Sequence, residues 1–138
     1  MYAVLDTSVA SFLLSEDGRA GYYRPHLAGA IPTLSFQTVA ELRKGALRAN
    51  WGQDRRNNLE SFMRQFYVHP YDDRIASEWA RIMYEAEMSG ARFESADGWI
   101  AATASVLDAP LLTHDADFNQ TSCPGIRIVR YDDAGSAC

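Results

Sequence analysis

The chain has 138 residues, 47% of them hydrophobic and 22% charged, with a formal net charge of −5. That length sets one domain with a single core of ordinary size. Its apolar runs fall far short of the roughly 20 residues a membrane span needs, and its acidic balance lacks the basic footprint of a protein that coats nucleic acid. Met1 leads straight into an apolar stretch with no basic region or cleavage site ahead of it. Cys123 and Cys138 lack the paired spacing of a zinc or redox motif. A cytoplasmic protein with free thiols is therefore expected.

Tyr2-Ala3-Val4-Leu5 reads as a buried strand that ends in an acid and two hydroxyls, Asp6-Thr7-Ser8. A helix over 7–14 follows, broken by Ser15-Glu16-Asp17-Gly18, and a second short helix covers 20–28. The apolar run 31–36, opened by Pro32, is too short for a helix and reads as a second strand. It hands over near Gln37 to a helix with Val39, Leu42 and Ala46 on one face. After the break at Asn50-Trp51-Gly52, a helical pattern resumes over 54–65, and 66–69 is a brief third strand closed by Pro70.

The strongest periodicity lies in Ile75, Trp79, Ile82, Met83 and Ala86, a core helix capped by Asp72 or Asp73 and ended at Gly90. Ser95 is the expected N-cap of an alanine-rich helix running to about Leu107. A fourth strand over 110–113 ends, like the first, in acids: Asp115 and Asp117. A last strand covers 126–129, and residues 132–138 are expected to fray.

Strands alternating with helices predict an α/β domain with a central, mostly parallel sheet flanked by helices. In such sheets the site lies beyond the carboxyl ends of the strands, which is where Asp6 and the Asp115/Asp117 pair fall. Taken singly, each acid has an ordinary structural role. Asp6 and Asp115 suit helix N-caps, Asp97 suits the positive end of a helix, and Glu41 suits a solvated face. Taken together, acids delivered to one sheet edge raise each other's pKa and destabilise the fold unless a cation relieves them. An all-oxygen donor set suits Mg²⁺, with Mn²⁺ as a substitute, rather than zinc. Thr7, Ser8 and Thr113 flank these acids and can orient a carboxylate or cap a helix.

Setting five acids aside at one site leaves the remaining surface near neutral. The basic residues then stand out, since Arg43, Lys44, Arg48, Arg55, Arg56 and Arg64 fall in one short region. Either they form a solvated helix face or they touch nucleic acid, with Arg43, Lys44 and Arg48 nearest to Glu41. Gly45, inside a helix, points to close approach of another backbone or of substrate. Tyr22, Tyr23 and Trp51 are either core residues or stacking platforms for splayed bases.

Four segments, Leu5-Asp6-Thr7-Ser8, Glu41-Leu42-Arg43-Lys44-Gly45-Ala46, Ala96-Asp97-Gly98-Trp99 and Leu112-Thr113-His114-Asp115-Ala116-Asp117-Phe118, resemble in order and spacing the acidic motifs of PIN-domain ribonucleases. The resemblance spans residues 2 to 130 and is nearest to VapC-like toxins of type II toxin-antitoxin systems. It implies a PIN-like nuclease domain over residues 1–131 and a Mg²⁺-dependent endoribonuclease that cleaves RNA by metal-activated water. It further implies a cognate antitoxin that neutralises the toxin, and a homodimer. By position, Asp6, Glu41, Asp97 and Asp115 match the acidic quartet, and Asp117 a further acid. Gly98 departs from the usual alanine and His114 from the frequent arginine.

Two relatives in chemistry stay open at this point, a catalytically silent module of the same fold and a nuclease acting on DNA. A phosphoacceptor signalling domain is excluded, because it needs a lysine after a late strand and Lys44 is the only lysine.

Overall fold

A computed structural model describes residues 1–138. Its elements in chain order are β1 (Tyr2–Leu5), α1 (Thr7–Ser15), α2 (Ala20–Leu27), β2 (Ile31–Ser35), α3 (Phe36–Arg48), α4 (Gln53–Met63), β3 (Tyr67–His69), α5 (Asp73–Met88), α6 (Ser95–Leu107), β4 (Leu111–Leu112) and β5 (Ile128–Val129). The five strands form one sheet in the order β3-β2-β1-β4-β5, and every pairing is parallel. The strand order reverses between β1 and β4, so a crevice opens at the carboxyl ends of those two strands.

The central strand explains why its sequence is continuously apolar. Alternate side chains leave opposite faces of a strand, and both faces of this sheet are covered. Val4 and Leu111 enter a cluster with Ile75, Ile82 and Ile100 of α5 and α6. Ala3, Leu5 and Leu112 enter the other, with Val9, Leu34, Leu42 and Leu59. Val4, Leu5, Leu111 and Leu112 are fully buried, and each contributes about 1.5–3 kcal/mol relative to an exposed side chain.

Register then fixes the site. Leu5 aligns with Leu112, and the Asp6 amide donates to the Leu112 carbonyl at 2.8 Å, so Asp6 and Thr113 emerge side by side. Asp72 caps α5 by accepting from the Ile75 amide. Ser95 is the first residue of α6, with Glu94 in extended backbone ahead of it, so the expected Ser95 cap sits one residue late.

Gly98 belongs to the α5–α6 contact. A β-carbon there would fall 2.5 Å from Met83 Sδ and 2.8 Å from Trp79 Nε1. Trp79 stacks on Trp99 and donates its indole N–H to the Ser95 carbonyl. The helices approach through this missing side chain.

Residues 132–138, expected to fray, instead close a turn. The Asp132 amide donates to the Ser136 carbonyl, the Cys138 amide to the Arg130 carbonyl, and Tyr131 bridges to Ala137. Asp133 accepts from Arg19 at 3.2 Å and lies 2.8 Å from His114 Nε2. Cys123 is buried, Cys138 exposed, and both are free. No helix is long and apolar enough to cross a membrane.

Candidate metal centre

Two consecutive stretches of the chain, the start of α6 and the turns after β4, bring three acids together. Asp97 stands in the first turn of α6, and Asp115 and Asp117 stand in the turns after β4. One carboxylate oxygen from each lies within 4.8 Å of the others. Asp115 is not a helix cap, because no helix follows it; its Oδ1 accepts from the Asp117 amide and shapes the turn. The carboxylates of Asp97 and Asp117 accept no hydrogen bond from the chain.

Asp6 stands behind this trio, 5% exposed. It caps α1: Oδ1 accepts from the Thr7 amide at 2.7 Å, while Oδ2 accepts from the hydroxyls of Ser8 at 2.9 Å and Thr113 at 2.8 Å. The Thr113 oxygen in turn accepts from the Asp115 amide, which ties the two acid-bearing loops together. Thr7 serves through its amide; its hydroxyl donates to Thr38 Oγ1, not to an acid. Glu41, one turn and a half into α3, accepts from Gln37 at 3.0 Å. Gln37 and Thr38 carry no chemical signature of their own, and only their i−4 and i−3 spacing from Glu41 marks them.

Charge couples the set. Asp97 is pushed up to about 7, first by burial and then by the charges of Asp6, Asp115, Glu41 and Asp117. Asp6 is also raised, by burial, against the three hydrogen bonds that favour its charged form. Five acids thus act on one another, three in near contact and Asp6 and Glu41 at somewhat longer range.

The proposed cations fare unequally. Arg43 is held by Glu60 at 2.7 Å. Lys44 and Arg48 are exposed and free of ion pairs, on the same stripe of α3 as Glu41. Tyr23 is fully buried and its hydroxyl donates to the Thr113 carbonyl, so it cannot stack on a base. His114 faces inward, between the Tyr23 hydroxyl and Asp133, and its amide donates to Ser8.

Residues 3–122 match the PIN domain family model. The chain belongs to the PIN-domain family. This PIN domain is 36% identical to ribonuclease VapC5 of Mycobacterium tuberculosis over 83% of the chain and 84% of the relative. It superposes with a TM-score of 0.66, at 28% identity, on VapBC-5 of the same organism, a member of the VapBC family of toxin-antitoxin systems, covering 94% and 96% of the two chains. VapBC2 of Rickettsia felis gives a TM-score of 0.81 at 17% identity over 94% and 98%, a likeness of fold. Of the four acidic segments, two supply the trio Asp97, Asp115 and Asp117, while Gly98 packs against Trp79 and Met83 and His114 bonds Tyr23 and Asp133.

Proposed function

We propose that this PIN domain is a divalent-metal-dependent endoribonuclease of toxin type, neutralised by a cognate antitoxin. The observation that carries it is the convergence of Asp97, Asp115 and Asp117 within 4.8 Å, with Asp97 driven up to about 7. Unrelieved like charge in a crevice of oxygen donors fits a hard cation, Mg²⁺ or Mn²⁺. Asp97, Asp115 and Asp117 would hold it, with Asp6 adding charge from behind and Glu41 from α3. Such a cation supplies Lewis acidity toward a phosphodiester and a stronger nucleophile from water at neutral pH.

The chain's own groups do the rest. Ser8 and Thr113 fix the Oδ2 edge of Asp6, and Gln37 holds Glu41, so two carboxylates are oriented before substrate arrives. Lys44 and Arg48, exposed on the stripe of α3 that carries Glu41, would bind backbone phosphates. Histidine takes no part. His26 bonds Tyr131 through Nε2, His69 bonds Tyr67 through Nδ1, and His114 sits between Tyr23 and Asp133, none of them bonded to the five site acids.

The antitoxin partner is supported by the VapBC complexes this chain resembles, and it gives such a nuclease a reason for an open acidic crevice. The homodimer is carried by family likeness alone. The deciding experiment is cleavage of a structured RNA pool by purified, partner-free protein with and without Mg²⁺ or Mn²⁺, with Asp97→Asn as control. Metal-dependent cutting absent from the variant is expected. Binding of the metal without cutting would mean a silent module, and cutting of single-stranded DNA alone would mean a DNA nuclease.

A further inference from the structure

A groove of about 410 Å³ lies beside the acids. It takes in Thr7 and Glu41 from the site and Trp51, Arg55 and Asn58 from the turn and helix after α3. Its volume falls in the range of small-molecule sites, roughly 300–1,000 Å³. We propose that it seats the nucleobase next to the scissile phosphate and so selects the sequence that is cut. The proposal rests on the ribonuclease reading above and adds the specificity element that reading lacks, since carboxylates and a cation read phosphate and carry no base information.

Three features of the groove suit a base. The Arg55 guanidinium lies 4.2 Å over the Trp51 ring, which holds a planar cation in place; unstacked bases pack on aromatic rings and on guanidinium planes. The side chains of Ser11 and Asn58 line the groove without a hydrogen bond inside the chain, and between them they offer donors and acceptors to a base edge. Gly45 also lines it, and a β-carbon there would meet nothing within 4 Å.

That glycine is the telling residue. Glycine inside a helix costs stability relative to alanine, and no neighbour of Gly45 requires the gap, in contrast to Gly98. Keeping the groove open is what its absence of side chain achieves. A base is favoured over a protein segment because the groove shares Glu41 with the reactive site and six of its eleven lining residues, Thr7, Ser11, Ser15, Glu41, Arg55 and Asn58, carry polar side chains.

The test uses Gly45→Leu, which adds a side chain on the groove wall where a β-carbon meets nothing within 4 Å, and Asn58→Ala on an exposed position. Each is made in the cutting protein and in an Asp97→Asn background for binding. Short single-stranded RNA should bind about tenfold more weakly to both, the scale of one lost base contact. In the cutting protein KM should rise with kcat little changed, and the base preference beside the cut in a randomised RNA should flatten. Mn²⁺ affinity by calorimetry should hold, and the thermal midpoint should hold in Asn58→Ala and not fall in Gly45→Leu, where helix propensity rises, which separates a lost subsite from a damaged fold.

If the unsubstituted protein cuts RNA and both variants bind and cut it with unchanged KM and base preference, the subsite is wrong while the ribonuclease stands. The subsite is equally wrong if the variants lose only antitoxin binding. If the unsubstituted protein cuts no RNA with any metal, the ribonuclease reading fails and the subsite with it.

Discussion

Asp6 and Asp97 carry the same charge in the same crevice, yet their surroundings predict opposite costs on removal. Asp6 caps α1 and receives three hydrogen bonds, two from side chains on different elements. Asp6→Ala strands the Ser8 and Thr113 hydroxyls and an amide of the first turn, a loss of about 1–3 kcal/mol. Asp97 accepts nothing from the chain and is repelled by four neighbours. Asp97→Ala should leave stability unchanged or raise it, and both should abolish cleavage. Urea melts of the two variants beside an RNA-cutting assay check this; equal destabilisation would mean that Asp97 has a structural role. At this scale the acids were legible because carboxylates at strand ends are rare enough to notice. Thr38 and Gln37 were not, since a threonine or glutamine inside a helix is chemically silent until its partner is placed. The ion pair of Arg43 was hidden for a related reason, because its partner Glu60 lies one helix away and spacing within α3 does not reveal it.

Between elements, two glycines in helices give a controlled pair. Gly98→Ala gains helix propensity of about 1 kcal/mol but overpacks against Trp79 and Met83, a cost of about 1–3 kcal/mol. Met83 can shift, whereas Trp79 is held by its stack on Trp99 and its bond to the Ser95 carbonyl, so the net effect should be a loss of stability. Gly45→Ala has open space and should gain about 0.5–1 kcal/mol. Thermal melts that moved both in the same direction would refute the packing account of Gly98. The tail makes a second case. Asp133 bonds His114 and Arg19, and His114 precedes the acid-bearing turn. Deleting residues 132–138 should speed amide exchange over 113–117, read by mass spectrometry; unchanged exchange would mean the loop stands without the tail. Helices and strands were legible from periodicity and capping residues to within a residue or two. The tail was not, because its local turn is joined to His114, Arg19 and Tyr22, partners 19 to 114 residues away that no local pattern encodes.

For the whole molecule, the crowded acids make stability depend on pH and metal together. Asp97 has a folded pKa of about 7 against an ordinary value of 3.8, and Asp6 is raised as well. A raised acid binds its proton more tightly folded than unfolded, so its contribution is full at low pH and is lost as pH climbs from the unfolded value through about 7. Glu60, Glu78 and Asp133 are lowered by their cationic partners and run the other way, stabilising above their unfolded values and failing in acid. Metal-free protein should therefore be most stable near pH ~5 and weaker at pH 8. An Asp97 shift of this size in a dry interior would cost about 4 kcal/mol; half exposure and solvent screening reduce it to roughly 1–2 kcal/mol. A cation bound by the ionised acids should cancel that loss, since it binds the folded crevice and not the unfolded chain. Mg²⁺ should thus raise the thermal midpoint by several degrees at pH 8 and hardly at all at pH 5, where protons occupy Asp97. Scanning calorimetry of the protein and of Asp97→Asn, with and without Mg²⁺ at both pH values, reads this directly. The variant should match the metal-loaded protein at pH 8 without any metal. If its midpoint instead fell with that of the metal-free protein, repulsion at Asp97 would not be what limits the fold.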